Sequence, residues 1–237
     1  ESLCQDIVRT DFDEMEEALR DELESYSLTV YYFDGITEEE ISEMFFRLNN
    51  GKPLSAIELS RAKAKSMEAI KELGQHKLFK SALTEKAMEK YTNEDIVIKS
   101  YAMLHETEPC METKSIRPLI ANAEFTEADK NQLREIYDRI ISMHGMIEDK
   151  KIAKRLLTRT HLISIVPIVW KSIQKGLSDK QMAEWAAVFF SGSKSATLSE
   201  IYNRNAGSGS GKKESVRRRL EEIESFFNKS FSIKQNL

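Results

Sequence analysis

Polar and basic residues that suit phosphate chemistry are concentrated near residue 50 of the chain. Arg47, Asn49, Asn50 and Lys52 lie close together between two predicted helices. A guanidinium or an ammonium group neutralises phosphate charge, and Asn side chains can orient a phosphate or a metal ion. The same residue types also favour turns, where Asn bonds its own backbone and the charges stay solvated. Two interpretations are therefore open: the border of a nucleotide site, or a well-capped turn.

Two capping boxes and the turn between them predict how these side chains are positioned. The first box, Thr37 with Glu40, starts a helix that runs to the Asn-Asn-Gly sequence at 49–51. Pro53 prevents this helix from continuing, and Ser55 is the first residue of the second box. Backbone amides at the start of the second helix would then lie near the polar side chains.

This segment also resembles a known family. The chain reads Phe-Phe-Arg-Leu-Asn-Asn-Gly-Lys-Pro-Leu-Ser-Ala-Ile-Glu over Phe45–Glu58, and it follows a predicted strand at Leu28–Phe33. The arrangement resembles the N-terminal domain of GmrSD-type restriction endonucleases, which carries F-x-R-L-N-x-G-x-P-L-S-x-x-E after a strand. The match covers Leu28 to about Ala62. That family is similar to ParB and sulfiredoxin-like proteins.

The resemblance implies nucleotide-dependent nuclease or defence functions, as in restriction or phage defence, against foreign and often modified DNA. It also implies a nucleotide and magnesium site, with Asn49 orienting a phosphate or metal and Arg47 neutralising charge. Asn50 and Lys52 would border the same site. In the intact parent we expect Mg²⁺ and a nucleoside triphosphate as cofactors, and neither in this chain alone.

One family signature is missing from the chain. The Asp-Gly-Gln-Gln-Arg or Asp-Gly-Lys-Gln-Arg loop, which lies upstream of the strand in the family, does not occur here. A single strand cannot satisfy its own backbone groups. We therefore expect a fragment that has lost the first half of its domain and is inactive alone. Its partner would be that half-domain or another chain, and an unpaired strand edge favours a homodimer.

Composition predicts the fold class. Of 237 residues, 41% are hydrophobic, and only nine Gly and four Pro interrupt a sequence rich in helix formers. We expect a mainly α protein, a multi-helix bundle with one short N-terminal strand left from a truncated α+β ParB-like domain. Residues 1–108 would be the remainder of the GmrSD-type domain, and 109–237 a C-terminal helical domain after a loop at Pro109–Pro118.

Helical spacing and capping residues predict the individual helices. We place them at Phe12–Ser25, Thr37–Leu48, Ala56–Leu73, Lys77–Lys90, Asn93–Glu106, Thr126–His144, Asp149–Gln174, Ser178–Gly192 and Lys213–Phe227.

Charge and cysteine content narrow the function classes. The net charge of -4 excludes a uniformly basic nucleic-acid surface, so DNA contacts must come from local patches. Cys4 and Cys110 form no metal-binding spacing, and the four His residues form none either, so no metal site is expected. Two separate cysteines fit a cytoplasmic protein. The longest apolar run, Leu162–Trp170, is too short to cross a bilayer, and no membrane partner is expected.

Two basic clusters are candidates for contact with the DNA backbone. The first consists of Lys150, Lys151, Lys154, Arg155 and Arg159. The second consists of Lys212, Lys213, Arg217, Arg218 and Arg219. Helical spacing can arrange such charges as a stripe along a phosphate backbone. The competing interpretation is a solvated face or pairing with nearby acids, which also fits charge runs on helices.

Two further features have ordinary explanations. The stretch 206–211 is rich in Gly and Ser, but Ala206 stands at the first glycine of a phosphate-loop pattern and Lys213 at its hydroxyl position. We therefore expect a mobile loop there. His161 lies beside apolar residues, and we expect it in the core rather than as a catalytic base.

Two function hypotheses follow. In the first, the chain is the C-terminal portion of a nucleotide-dependent, DNA-targeting nuclease or defence or phage protein, and it contributes part of a nucleotide pocket and a helical DNA- or partner-binding domain. In the second, it is a non-enzymatic helical module that binds protein and keeps the family's turn only as scaffold.

Overall fold

The structure is a computed structural model that describes residues 11–30, 32, 34–37, 40–41, 44, 57, 61, 64–192 and 197–232. The chain divides into two compact units, Glu1–Asn50 and Gly51–Leu237. All regular secondary structure within the described ranges is helical. The predicted mainly α class is therefore confirmed at this level.

The first unit confirms one predicted capping box. The backbone N–H of Thr37 donates to Oε2 of Glu40 at 2.8 Å, and the N–H of Glu40 donates back to Thr37 Oγ1 at 3.3 Å. The bond from the Thr37 backbone lowers the pKa of the Glu40 carboxyl. Ile41 then donates its N–H to the Thr37 carbonyl at 3.0 Å, so a helix starts where the sequence predicts. Beyond Met44 the predicted helix lies outside the described residues.

The predicted strand at Leu28–Phe33 is not confirmed. Its described residues, 28–30 and Tyr32, belong to no strand. The side chains of Leu28, Val30 and Tyr32 are 79%, 83% and 86% exposed. A strand needs a neighbour to pair its backbone groups, and the described residues of the first unit contain none.

The single helix predicted for Phe12–Ser25 is wrong. A 3₁₀ turn at Phe12–Glu14 is followed, after two extended residues, by helix α1 at Glu17–Glu24. Acidic side chains stand at 13, 14, 16 and 17, so a continuous helix would set like charges three residues apart. Such pairs destabilise a helix.

The second unit consists, within the described ranges, of eleven helices. They are α2 Met67–Gly74, α3 Lys77–Ala82, α4 Glu85–Glu89, α5 Thr92–His105, α6 Thr113–Asn122, α7 Glu127–Met146, α8 Lys150–Leu156, α9 Arg159–Gln174, α10 Asp179–Phe189, α11 Glu200–Asn205 and α12 Lys213–Ser232. Helices α5, α7, α8 and α12 pack around α9. The core is continuous across this unit, and the α9 residues Leu162, Ile165, Val166 and Val169 are fully buried.

Several predicted helix starts are confirmed by their side-chain caps. Thr126 and Asp129 form a capping box at α7, and Ser178 and Gln181 form another at α10. Asp149 accepts hydrogen bonds from two backbone amides at the start of α8. These caps are local in sequence, so they could be recognised without knowledge of the fold.

Three predicted long helices are instead broken. The helix predicted from Lys77 ends at Ala82, and a new one starts after Thr84, whose hydroxyl accepts the N–H of Ala87 at 3.3 Å. The helix predicted from Asp149 breaks after Leu156, and α9 begins at Arg159. Between the helical residue Ile57 and α2, the described residues 61 and 64–66 are non-helical. Apolar spacing alone does not reveal these breaks.

The loop predicted at Pro109–Pro118 is partly helical. Residues from Thr113 onward form α6, which contains Pro118 in its interior. The turn before it is held by a bond from the Met111 N–H to the Gly211 carbonyl at 2.8 Å. The helices before and after this turn belong to the second unit.

Substitution of a capping threonine tests this description of the helix starts. We expect Thr126→Ala to lower the free energy of unfolding by about 1 kcal/mol, because the α7 cap loses its acceptor. Thr158→Ala is the matched control, since Thr158 precedes α9 without capping it through its side chain. Urea denaturation measures both. Equal losses in the two variants would contradict the assigned role of Thr126.

Candidate nucleic-acid interface

The predicted nucleotide-site residues Arg47, Asn49, Asn50 and Lys52 lie outside the described residues. The same holds for the second capping box that begins at Ser55. Of the elements predicted to position them, the Thr37 capping box and the helical residues Ile41, Met44 and Ile57 are described. The choice between a nucleotide site and a capped turn therefore stays a prediction.

The first basic cluster divides into two groups with different surroundings. Lys150, Lys151 and Lys154 are exposed on α8, and within the described ranges no carboxylate pairs with them. We call these three side chains the α8 lysine row. Asp149 fixes the start of the helix, because its Oδ1 accepts the Lys151 N–H at 2.7 Å. The lysines thus stand on a capped helix with their charges available to solvent.

The two arginines of this cluster have structural partners. Arg155 donates from Nη1 to the carbonyls of Phe190 and Gly192, the latter at 2.7 Å, so it holds the end of α10. Arg159 pairs through Nη2 with the buried carboxylate of Asp95. Of the predicted five-residue stripe, the three lysines are exposed without a carboxylate partner in the described ranges, and the two arginines are engaged with groups distant in sequence.

The second basic cluster is largely paired with acids. Lys213 contacts Glu108 at 2.6 Å, and Arg217 contacts Glu214 at 2.6 Å and also Glu221. Hydrogen bonds from Arg217 and Arg218 lower the pKa of the Glu214 carboxyl to about 2.

The two remaining arginines of this cluster, Arg218 and Arg219, differ in their surroundings. Arg218 shares Glu214 at 2.8 Å. Arg219 is 2% exposed and points inward. Of the predicted second cluster, only Lys212 is exposed without a partner in the described ranges.

Arg219 organises the Gly- and Ser-rich stretch 206–211. Its Nη1 donates to the carbonyls of Asn205 and Ser210 at 2.6 and 2.7 Å, and its Nε donates to Ser164 Oγ at 3.1 Å. The segment predicted to be a mobile loop is therefore a series of turns whose carbonyls accept hydrogen bonds from a buried guanidinium. No strand leads into it, and its carbonyls rather than its amides point at the cation, which is unlike a phosphate loop.

His161 lies in the core, as the sequence predicts. It is 7% exposed, and its Nδ1 lies 3.0 Å from the hydroxyl oxygen of Tyr202. Burial, followed by the charges of Arg219 and Arg155, lowers the pKa of His161 to about 4. A histidine held neutral in this way joins α9 to α11.

A buried charge cluster at the start of α5 was not predicted. The guanidinium of Arg61 contacts the Glu94 carboxylate at 2.6 Å and lies 3.8 Å from the centre of the Tyr91 ring. Nearby, Asp95 pairs with Lys99 at 3.0 Å. Burial lowers the pKa of the Lys99 ammonium group. Arg61 and Glu94 are 33 positions apart, so no local sequence signal could find this pair. Asp95 and Lys99 are four residues apart on one helix, a spacing that is visible in the sequence.

The described part of the chain offers no evident metal or membrane site. Within those ranges no three His, Cys, Asp or Glu side chains are placed to hold a metal ion. Cys110 is a free thiol. None of the helices described is both long enough and apolar enough to cross a membrane.

Comparison of the chain with protein-family models, with curated proteins and with solved structures finds no match.

Replacement of Arg219 tests its role as the anchor of the Gly-rich stretch. We expect Arg219→Leu to lower the free energy of unfolding by about 2–4 kcal/mol, because two carbonyls and Ser164 lose a buried charged donor. Arg218→Leu is the matched control on the solvent side of α12, and its melting temperature should stay near that of the native chain. If the two variants melt together, Arg219 does not anchor the loop.

The buried His161 makes stability depend on pH. Its pKa of about 4 in the folded protein lies below the ordinary value of 6.5, so the unfolded chain takes up a proton first as the pH falls. The stabilising contribution is complete above pH 6.5 and is lost as the pH falls towards 4. We expect His161→Gln to flatten the pH profile of urea stability over this interval. A profile that keeps the native slope would contradict a neutral, buried His161.

Proposed function

We propose that the second unit contacts DNA backbone phosphates through the α8 lysine row, as the helical portion of a nucleotide-dependent, DNA-targeting nuclease or defence protein. The observation that carries this proposal is the availability of Lys150, Lys151 and Lys154, which pair with no carboxylate in the described ranges. A lysine that binds DNA releases the counterions of the phosphate it neutralises. A cation already paired with an acid, as Arg217 is with Glu214, must first break that pair.

The nucleotide-dependent part of the proposal rests on the family resemblance of Phe45–Glu58. Arg47, Asn49, Asn50 and Lys52 would border the nucleotide, and Mg²⁺ would supply charge neutralisation at its phosphates. The second wall of this site would come from a preceding half-domain or a partner chain, with a homodimer as the simplest assembly. Such a protein would act in the cytoplasm, where its DNA substrate lies.

A second candidate, a protein-binding module, is favoured by an apolar surface on α10 and α11. Val188, Leu198 and Ile201 are 52%, 52% and 44% exposed. The clefts beside them are bordered by three acidic residues, Glu184, Glu200 and Glu222, and by one basic residue, Lys229. This surface suits a basic amphipathic helix with apolar anchors. Binding there would depend on apolar contact more than on ionic strength, which separates it from DNA binding by lysines.

The salt dependence of DNA binding tests the first candidate. For a triple variant, Lys150→Gln with Lys151→Gln and Lys154→Gln, we expect weaker binding and a plot of log K against log salt that is shallower by about 2–3. The matched control changes Lys213, Arg217 and Arg218 to Gln, and we expect little change from it. Fluorescence anisotropy with a labelled oligonucleotide measures both.

Two results would contradict the proposal. One is native binding that does not respond to salt, which would favour the apolar surface. The other is a control variant that loses as much affinity as the α8 variant, since that would indicate net charge rather than the lysine row.

A further inference from the structure

A cleft of about 450 Å³ lies beside the α8 lysine row. It is bounded by the turn between α3 and α4, the end of α7, and the segment from α8 to the start of α9. Leu83, Ala153 and Leu157 contribute apolar lining. Its polar lining side chains are those of Ser81, Thr84, His144, Lys150, Lys154 and Thr158.

This cleft is lined by cations and hydroxyl groups without a carboxylate. The whole chain has more acidic residues, 39, than Lys and Arg residues, 35. The lining of this cleft, which contains lysines and no acid, therefore differs from the average composition of the chain. The cleft near Arg61 includes Glu72 and Glu94, and the cleft on α11 includes Glu222. A concave surface with charge of one sign concentrates the electrostatic field within it. The local potential of the cleft on α8 therefore favours an anion.

Helical spacing places two of the three row lysines at this cleft. Lys150 and Lys154 are four residues apart on α8 and share a face, whereas Lys151 does not line the cleft. Asp149 caps the helix with its carboxylate, which fixes the position of the first of these lysines. Two ammonium groups about one helical turn apart can contact different oxygens of one phosphate group.

The start of α9 adds a weaker contribution. Thr158 lines the cleft and precedes α9, and its hydroxyl donates to the Arg155 carbonyl at 3.0 Å rather than capping the helix. The partial positive charge at a helix start favours an anion. This contribution supports the two lysines and does not replace them.

His144 lines the cleft, and its ring signals in NMR spectra can report anion binding there. Burial, and then the charge of Lys150, lowers the pKa of His144, which favours the neutral ring with its one N–H donor. An anion placed between the two lysines would offset the charge of Lys150. The ring signals of His144 would respond to such an anion.

We infer that this cleft seats a single phosphodiester group of the DNA strand contacted by the α8 lysine row, with Lys150 and Lys154 neutralising its charge. This inference rests on the proposed function. It adds that one phosphate of the bound DNA occupies a defined position in the cleft. It also separates the roles of the lysines: Lys150 and Lys154 hold the phosphate in the cleft, and Lys151 contacts the DNA backbone outside the cleft.

A matched pair of single variants tests the inference in the full chain. Lys154→Gln and Lys151→Gln remove the same charge from the same helix at exposed positions, so neither should affect folding. We expect Lys154→Gln to weaken oligonucleotide binding about tenfold or more, the value of a charge-assisted hydrogen bond. For Lys151→Gln we expect a loss of no more than about threefold, as for one unseated phosphate contact.

A second probe, inorganic phosphate, distinguishes failure of the seat from failure of the proposed function. We expect phosphate to shift the His144 ring signals in NMR spectra of the native chain and of Lys151→Gln, and to leave them unchanged in Lys154→Gln. If the two variants lose oligonucleotide binding equally and His144 does not respond to phosphate, the cleft does not bind a phosphate. The proposal that the α8 lysine row contacts DNA is then unaffected. A His144 response to phosphate without oligonucleotide binding overturns DNA as the source of the phosphate.

Discussion

The burial of α9 is the constraint on which the second unit depends. Six consecutive residues, 161–166, are all buried, and six consecutive residues project on all sides of a helix. A helix that is apolar on most of its surface must lie inside the protein. Helices α5, α7, α8 and α12 therefore each turn an apolar face to α9. The side of α8 that faces solvent is a consequence of this packing, because Ala153 and Leu156 must face inward.

The polar side chains within this core restrict how the helices can be arranged. His161 and Ser164 of α9 are buried, and they meet Tyr202 and Arg219 from the C-terminal helices. A buried guanidinium without a carboxylate is stable only when oxygen acceptors surround it, which the carbonyls before α12 provide. The same contacts hold the Gly-rich stretch in place. One inward-pointing arginine thus converts a sequence that predicts flexibility into a fixed connection.

Local patterns predicted the features that depend on neighbouring residues. The capping box at Thr37 and the helix starts at Thr126 and Ser178 were predicted from sequence, because each capping pair lies three positions apart. The break between α8 and α9 was not recognisable, since apolar residues continue through Leu156 and Leu157 and only tertiary packing decides where the chain bends.

In the candidate interface, too, the features set by neighbouring residues were predicted and those set by tertiary contacts were not. Sequence identified both basic clusters but could not rank them, because the partners that neutralise or redirect charge lie far away along the chain. Lys213 pairs with Glu108, which is 105 positions away in the sequence, and Arg155 donates to the carbonyl of Gly192, which is 37 positions away. The cleft beside α8 was missed entirely, since Ser81, His144 and Thr158 come from three separate segments. Whether a lysine is paired with a carboxylate depends on the fold, so the sequence alone does not show which lysines can bind a phosphate.

We propose that the α8 lysine row, and not the paired cluster on α12, contacts DNA. Lysine footprinting by reductive methylation, read by mass spectrometry with and without a short oligonucleotide, tests it most directly. We predict that DNA protects Lys150, Lys151 and Lys154 while Lys213 keeps its reactivity. Protection of Lys213 with continued reactivity of the α8 lysines would contradict the account.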